Sequence, residues 1–313
     1  MKNRKILFIA GPTAVGKTDL ALKLAKILNG EIVNADSMQI YRGMDIGTGK
    51  PSLQERTLVP HHMFDVVEPY EAFNVVAYQS MALNIIEEIL KRGNLPIIVG
   101  GTGLYISALF YDVKFEAAPG DEFIRKRINK IIDEKGLDAI YKMLKQQDEH
   151  TAEYINKNNR IRIVRALELQ EYKLLPNRES RAAWCKKVRS CIGKYSVESL
   201  LFVLNYEQRE LLYDKINRRV DMMMENGLLQ EVESLCQKGL GPTAKQAIGY
   251  KEFLPLINGE LVSYEEVVNI IKQNTRHYAK RQLTWFRKMK EANWISVEES
   301  MEKIIEQLQV KLK

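Results

Sequence analysis

Residues 11–18 read Gly-Pro-Thr-Ala-Val-Gly-Lys-Thr, a match to GxxxxGK[ST] lying between a short apolar run at 6–10 and a periodic stretch over residues 17–28. That context constrains the fold more than any other feature of the chain, because a strand feeding a helix through such a loop opens a parallel α/β unit. Gly11 and Gly16 let backbone N–H groups turn inward, with Pro12, Thr13, Ala14 and Val15 between them. The helix N-terminus adds positive potential, Lys17 supplies a point charge, and the Thr18 hydroxyl suits a magnesium ion. The loop therefore holds a polyphosphate. It does not say which one, since ATP, GTP and an isoprenoid pyrophosphate present similar oxygens.

Further strands are predicted at 31–35, ending at Asp36, and at 96–100, leading into Gly100-Gly101-Thr102-Gly103 and another helix. Ligands gather at the carboxyl ends of parallel strands, where the glycine loop, Asp36 and Thr102 would all fall. After residue 117 the character changes, and from 121 to about 172 charged residues and helix formers dominate. A buried strand is predicted at 200–205, a long helix from about Gln208, and another over 264–285 with Arg276, Lys280 and Arg281 on one face. The fold class expected is α/β: a P-loop NTPase-like parallel sheet core, residues 1–117 and 198–313, with a helical insertion domain at 118–197.

Of the 313 residues, 45% are hydrophobic and 28% charged, the balance of a packed globular protein. The net charge of +7 favours a polyanionic partner without identifying one. Cys185, Cys191 and Cys236 form no CxxC pair and, with four histidines, no zinc pattern. They are expected to be buried or inert thiols. The N-terminal apolar run passes into the glycine loop without a signal-cleavage pattern, and no stretch reaches the roughly 18–20 apolar residues of a membrane span. A cytoplasmic protein, with no membrane association, is the expectation.

Several blocks, in order, carry a resemblance. They are GPTAVGKTDLA at the glycine loop, NADSMQIYRGMDIGTGKP from residue 34, HHMFDVVEP from 61 and VGGTGLYISAL from 99. RIVRALE follows from 162, INRRVDMMMENGLLQEV from 216, QAIGYKE from 246 and TRHYAKRQLTWFR from 275. Together they resemble the tRNA dimethylallyltransferases over nearly the whole chain. The chain departs from that pattern at Lys157-Asn158-Asn159 and at Ile161, so contacts with the anticodon loop there are not carried over.

The resemblance implies transfer of a dimethylallyl group from dimethylallyl pyrophosphate to the N6 amine of the adenine 3′-adjacent to the anticodon, with pyrophosphate released. It also implies the tRNA anticodon stem-loop as partner; magnesium is the cofactor expected from the Thr18 hydroxyl, and a monomer is the expected form. An exocyclic amine is a poor nucleophile, and a carboxylate accepting its proton would help by about 10²–10⁴-fold. The resemblance implies that role for Asp36, which follows a strand at the same sheet edge as the glycine loop; the alternative is a helix cap or a holder of magnesium through water. Ser37, Met38 and Gln39 would line the base pocket. Departure of pyrophosphate needs fixed cations, a role that Lys17 and a Thr18-bound magnesium ion fit and that the resemblance implies for Arg219, which by itself reads as a solvated helix arginine and stands beside Arg218 in INRRVD. Thr102 would touch substrate or cap its helix.

The target base would be extruded from the loop, with basic residues holding the displaced strand. Arg125, Arg160, Arg162 and Arg165 in the insertion, with Gln246, Lys251, Arg276, Lys280 and Arg281, are the candidates for that surface. A small-molecule P-loop kinase shares the loop and the sheet, with Asp36 activating a hydroxyl. The block from residue 34 and the basic insertion speak against it. A GTP switch lacks the Asn-Lys-x-Asp guanine motif.

Overall fold

The computed structural model describes residues 4–115, 120–172, 187–260 and 263–312. Strand β1 (Arg4–Ala10) is buried along its apolar run, as expected of a strand covered on both faces. It ends at the glycine loop, and helix α1 (Lys17–Leu28) follows. Asn29 ends α1 in the left-handed conformation, φ 49°, and donates its N–H back to the Ala25 carbonyl. The chain then enters β2 (Gly30–Asn34), and a two-residue strand β3 (His61–His62) runs parallel beside it. Helix α2 (Leu53–Leu58) precedes β3, and α3 (Val75–Arg92) leads to β4 (Leu95–Gly100) and α4 (Gly103–Phe110).

The sheet order is β3-β2-β4-β1-β6-β5, with β5 (Cys191–Ile192), β6 (Tyr195–Asn205) and a further strand β7 (Asn293–Ser296) paired to β6. The pairs β1·β4, β1·β6, β2·β4, β2·β3 and β6·β7 are parallel, and β5 runs antiparallel to β6. Strand β1 is thus central, and the loop that follows it opens at the carboxyl edge where β2 and β4 also end. Two of the sequence expectations change here. The strand predicted at 200–205 is eleven residues long and begins at Tyr195. Strand β7 has no counterpart among the predicted elements.

By contacts the chain divides into Met1–Phe110 with Val188–Lys313, and Tyr111–Lys187. The expected insertion limits of 118 and 197 shift accordingly. At the C-terminal side, residues 191–197 belong to the sheet, because β5 and the start of β6 pair there. At the other side, residues 116–119, where the sequence changes character, lie outside the described residues.

The smaller unit is built from α5 (Glu122–Lys135), α6 (Leu137–Gln147), α7 (Glu149–Glu153) and α8 (Arg160–Glu171) around a core containing Ile128, Ile132, Leu144, Ile163 and Leu167. The larger unit continues after β6 with α9 (Arg209–Glu225), α10 (Leu228–Lys238), the short α11 (Leu254–Ile257), α12 (Tyr264–Phe286) and α13 (Met301–Leu312). A capping box of Ser263 and Glu266 starts α12. Among the described residues no helix is long and apolar enough to cross a membrane. Cys191 is exposed and Cys236 half-buried, and Cys185 lies outside the described residues.

Candidate active site

Two glycines give the loop its shape. Gly11 has φ 147°, and a Cβ there would stand 2.6 Å from the Leu204 carbonyl oxygen on β6. Gly16, with φ 84°, turns the chain into α1. Val15 is buried in the core beneath, which anchors the loop. Lys17 curls back over it, its Nζ donating to the Pro12 carbonyl at 2.6 Å. Burial lowers the Lys17 pKa to about 8, with Asp36 opposing the shift and Arg219 reinforcing it.

A cavity of about 250 Å³ lies over this loop, lined by residues 13–18 together with Asp36, Gln39, Thr48, Gly49, Lys50 and Arg219. Burial also lowers the Arg219 pKa, with Asp36 as the opposing influence. Its Nη2 donates to the Thr48 carbonyl at 3.2 Å, and Gly49, whose φ of 59° favours glycine, leaves the space that the guanidinium fills. Two incompletely solvated cations and residues 13–18 of the glycine loop therefore line one chamber, an arrangement suited to a diphosphate.

A second cavity, of about 230 Å³, has Ser37, Met38, Val220, Met223, Gln246, Ile248, Lys251, Ile271, Tyr278 and Arg281 in its wall. Thr13, Asp36, Thr48 and Arg219 line both cavities. Asp36 thus stands where a polyanion chamber meets a mixed apolar and polar one. Its backbone N–H donates to the Asn34 side chain, and its Oδ1 accepts from the Met38 N–H at 2.9 Å. Thr102 Oγ1 accepts from the Ser37 N–H at 2.9 Å, tying the residue next to Asp36 to the loop after β4.

The residues predicted from sequence are not all brought together. Ser37 and Met38 line the second cavity, but Gln39 lines the phosphate chamber, its amide donating to the carbonyls of Thr48 and Gly49. Gln246, Lys251 and Arg281 line the second cavity, Arg276 donates to Asn217, and Lys280 is exposed. In the smaller unit, Arg125 and Arg165 both bond to the fully buried Glu168, so their charge is matched within that unit. Arg160 pairs with Asp133, whereas Arg162 is exposed.

Three residues not singled out in the sequence help hold the site. Glu231 accepts from the N–H groups of Asp45, Ile46 and Gly47 and from the Tyr250 hydroxyl, fixing the loop that carries Thr48. Buried Gln282 bonds Thr13 and Gly101. Tyr278 lies beside them, its hydroxyl pKa raised by burial and by Asp36, with Thr102 and Gln282 pulling the other way. All three act across long sequence separations, and only the identity of the motifs containing them gives any signal.

Residues 39–289 match the family model described as IPP transferase, and residues 4–59 match that of isopentenyl transferase. The chain is 44% identical to the tRNA dimethylallyltransferase of Caldanaerobacter subterraneus subsp. tengcongensis, the match covering 99% of each chain. To that of Geobacillus thermodenitrificans it is 46% identical, covering 94% of this chain and 90% of the other. Among solved structures, the full-length tRNA isopentenylpyrophosphate transferase of Bacillus halodurans superposes with a TM-score of 0.71 at 38% identity, covering 99% and 96% of the two chains. A eukaryotic dimethylallyltransferase acting on tRNA gives 0.75 at 32% identity, over 94% of this chain and 74% of that one.

Proposed function

The chain belongs to the tRNA dimethylallyltransferase family, and on that premise we propose that it moves the dimethylallyl group of dimethylallyl pyrophosphate onto the N6 amine of the adenine 3′-adjacent to the anticodon. The pyrophosphate lies over the glycine loop, and the flipped adenine enters the second cavity from the anticodon loop. The N6–carbon bond forms and the allylic carbon–oxygen bond breaks. Pyrophosphate leaves with the electron pair, and the amine proton passes to the Asp36 carboxylate. Lys17, Arg219 and the loop N–H groups carry the charge that builds on the leaving oxygens.

The observation that supports this division of labour most directly is the shared wall, in which Asp36 and Arg219 border both cavities. Proton acceptor and leaving-group cation then stand together where the two cavities meet, as transfer between two bound substrates requires. Magnesium fits the donor set: Thr18 lines the phosphate chamber, and this ion is commonly held by one or two protein oxygens together with substrate phosphates and water. Bound there, it would supply further neutralisation of the pyrophosphate. Both cavities are lined within one unit of one chain, which supports a monomer as the working form. A tRNA substrate supports a cytoplasmic place of work.

The test is transfer of radiolabelled dimethylallyl to unmodified tRNA, run beside an incubation with magnesium and ATP. Label in the adenine next to the anticodon is the expected result. ATP turnover without tRNA, and no label in RNA, would overturn the reading in favour of a kinase.

A further inference from the structure

Gln282 is 4% exposed and sits in the next-to-last turn of α12, and both ends of its amide are used. Its Oε1 accepts from the Thr13 N–H at 2.9 Å, in the glycine loop after β1. Its Nε2 donates to the Gly101 carbonyl at 2.9 Å, in the loop after β4. From Gly101 the chain passes to Thr102, which holds the Ser37 N–H beside Asp36. One side chain thus spans from the anion cradle to the loop that supports the carboxylate.

The fit is close at both ends. A Cβ on Gly101 would stand 2.1 Å from Gln282 Nε2, so the loop packs against the amide with nothing between. One turn along, Trp285 is seated against Gly103, where a Cβ would come within 2.4 Å of the indole, and its Nε1 donates to Ser107 on α4. The last turns of α12 are therefore fixed on the loop and helix that follow β4. A helix fixed in this way can serve as a gauge between two loops, which a surface glutamine could not.

Given the roles proposed above for the glycine loop and Asp36, we propose that Gln282 is a positioning residue that sets the distance between pyrophosphate and proton acceptor. Its bonds run to the two loops, and it lines the phosphate chamber between them. Its contribution should appear in turnover, because a small misplacement of reacting groups costs about 10²-fold in rate while binding of one substrate alone is hardly altered.

Two variants test this. Gln282→Leu keeps the volume and loses both bonds. Its kcat for dimethylallyl transfer should fall about 10–100-fold, with the Kd for inorganic pyrophosphate unchanged within about threefold. A kcat within about twofold of the wild type, or a loss confined to pyrophosphate affinity, overturns the proposal. Gln282→Glu adds a readout that lost packing alone would not move. Protonated, the carboxyl accepts from Thr13 and donates to Gly101 as the amide does; ionised, it has no donor and faces the Gly101 carbonyl with an acceptor.

Burial raises the pKa of such a carboxyl. The ratio of variant to wild-type kcat should therefore climb as pH is lowered from about 8 to about 5.5. Asp36, Lys17, Arg219 and Tyr278 face the same region in both proteins, so their own titration largely divides out. A flat ratio overturns the proposal. Failure of the underlying assignment would read differently: wild-type protein would place no label on tRNA, or Asp36→Asn would transfer at the wild-type rate.

Discussion

Lys17 is charged in a place that solvates it poorly, and this gives its effect on stability a definite sign. Its pKa in the folded, ligand-free protein is about 8 against an ordinary 10.5. Between those values the unfolded chain binds more protons, so stability rises with pH across that window and the penalty is fully present below it. Pyrophosphate beside the ammonium favours the charged form, so binding above about pH 8 takes up a proton. The affinity for pyrophosphate should weaken as pH rises above about 8, approaching tenfold per unit. Calorimetry in buffers of different ionisation enthalpy checks this, and Lys17→Met should abolish the proton uptake. Asp36 is separable by the same means. Asp36→Asn removes the proton acceptor and leaves the cradle intact, so kcat should fall by about 10²–10⁴-fold while pyrophosphate still binds. Equal turnover in the variant would remove Asp36 from the chemistry.

Loops carry these residues, and buried polar side chains hold the loops. Glu231 on α10 accepts from three successive N–H groups, those of Asp45, Ile46 and Gly47, and it also takes the Tyr250 hydroxyl. Gly47 packs against the Tyr250 ring so closely that a Cβ would stand 2.4 Å from it. Glu231→Ala should cost about 2–3 kcal/mol through the unmet donors, read as a fall in Tm of roughly 5 °C or more. Glu231→Gln retains an acceptor and should lose less. Neither Glu231 nor Gln282 is legible in the sequence as a site residue, for the same reason: the partners of Gln282 lie 269 and 181 positions away, and those of Glu231 up to 186. Local signals suffice where the determinants are local. The glycine loop, α1 from Lys17 to Leu28 and the strand before Asp36 depend on neighbours a few residues off, and their positions can be read nearly to the residue. The strand β7 is four residues long and, among the described residues, pairs with β6 alone, which no period in the sequence announces. Gln39 reads as part of the base pocket from its place in the motif, but its amide is spent on Thr48 and Gly49 and faces the other chamber.

Charge distribution over the whole chain decides which arginines are available to a polyanion. The net charge is +7, yet charge already matched by a buried carboxylate offers little to a phosphate. Arg125 and Arg165 converge on Glu168, whereas Arg162, Lys280 and Arg281 are exposed and have no carboxylate partner among the described residues. The first pair and the second group should therefore behave differently when neutralised. Binding of tRNA releases counterions, so kcat/KM for tRNA should fall with rising salt along a straight line on logarithmic axes. Alanine at Arg162, Lys280 or Arg281 should make that slope shallower by about 0.7–0.9 for each phosphate no longer neutralised. Arg125→Ala should leave the slope within error and lower the thermal stability instead, because it strips a hydrogen-bonded partner from a buried carboxylate. If Arg125→Ala flattened the slope as much as Lys280→Ala, the pairing with Glu168 would have to open when tRNA binds. The salt series therefore measures whether the cations of the smaller unit act as structural pins or as direct partners of the RNA.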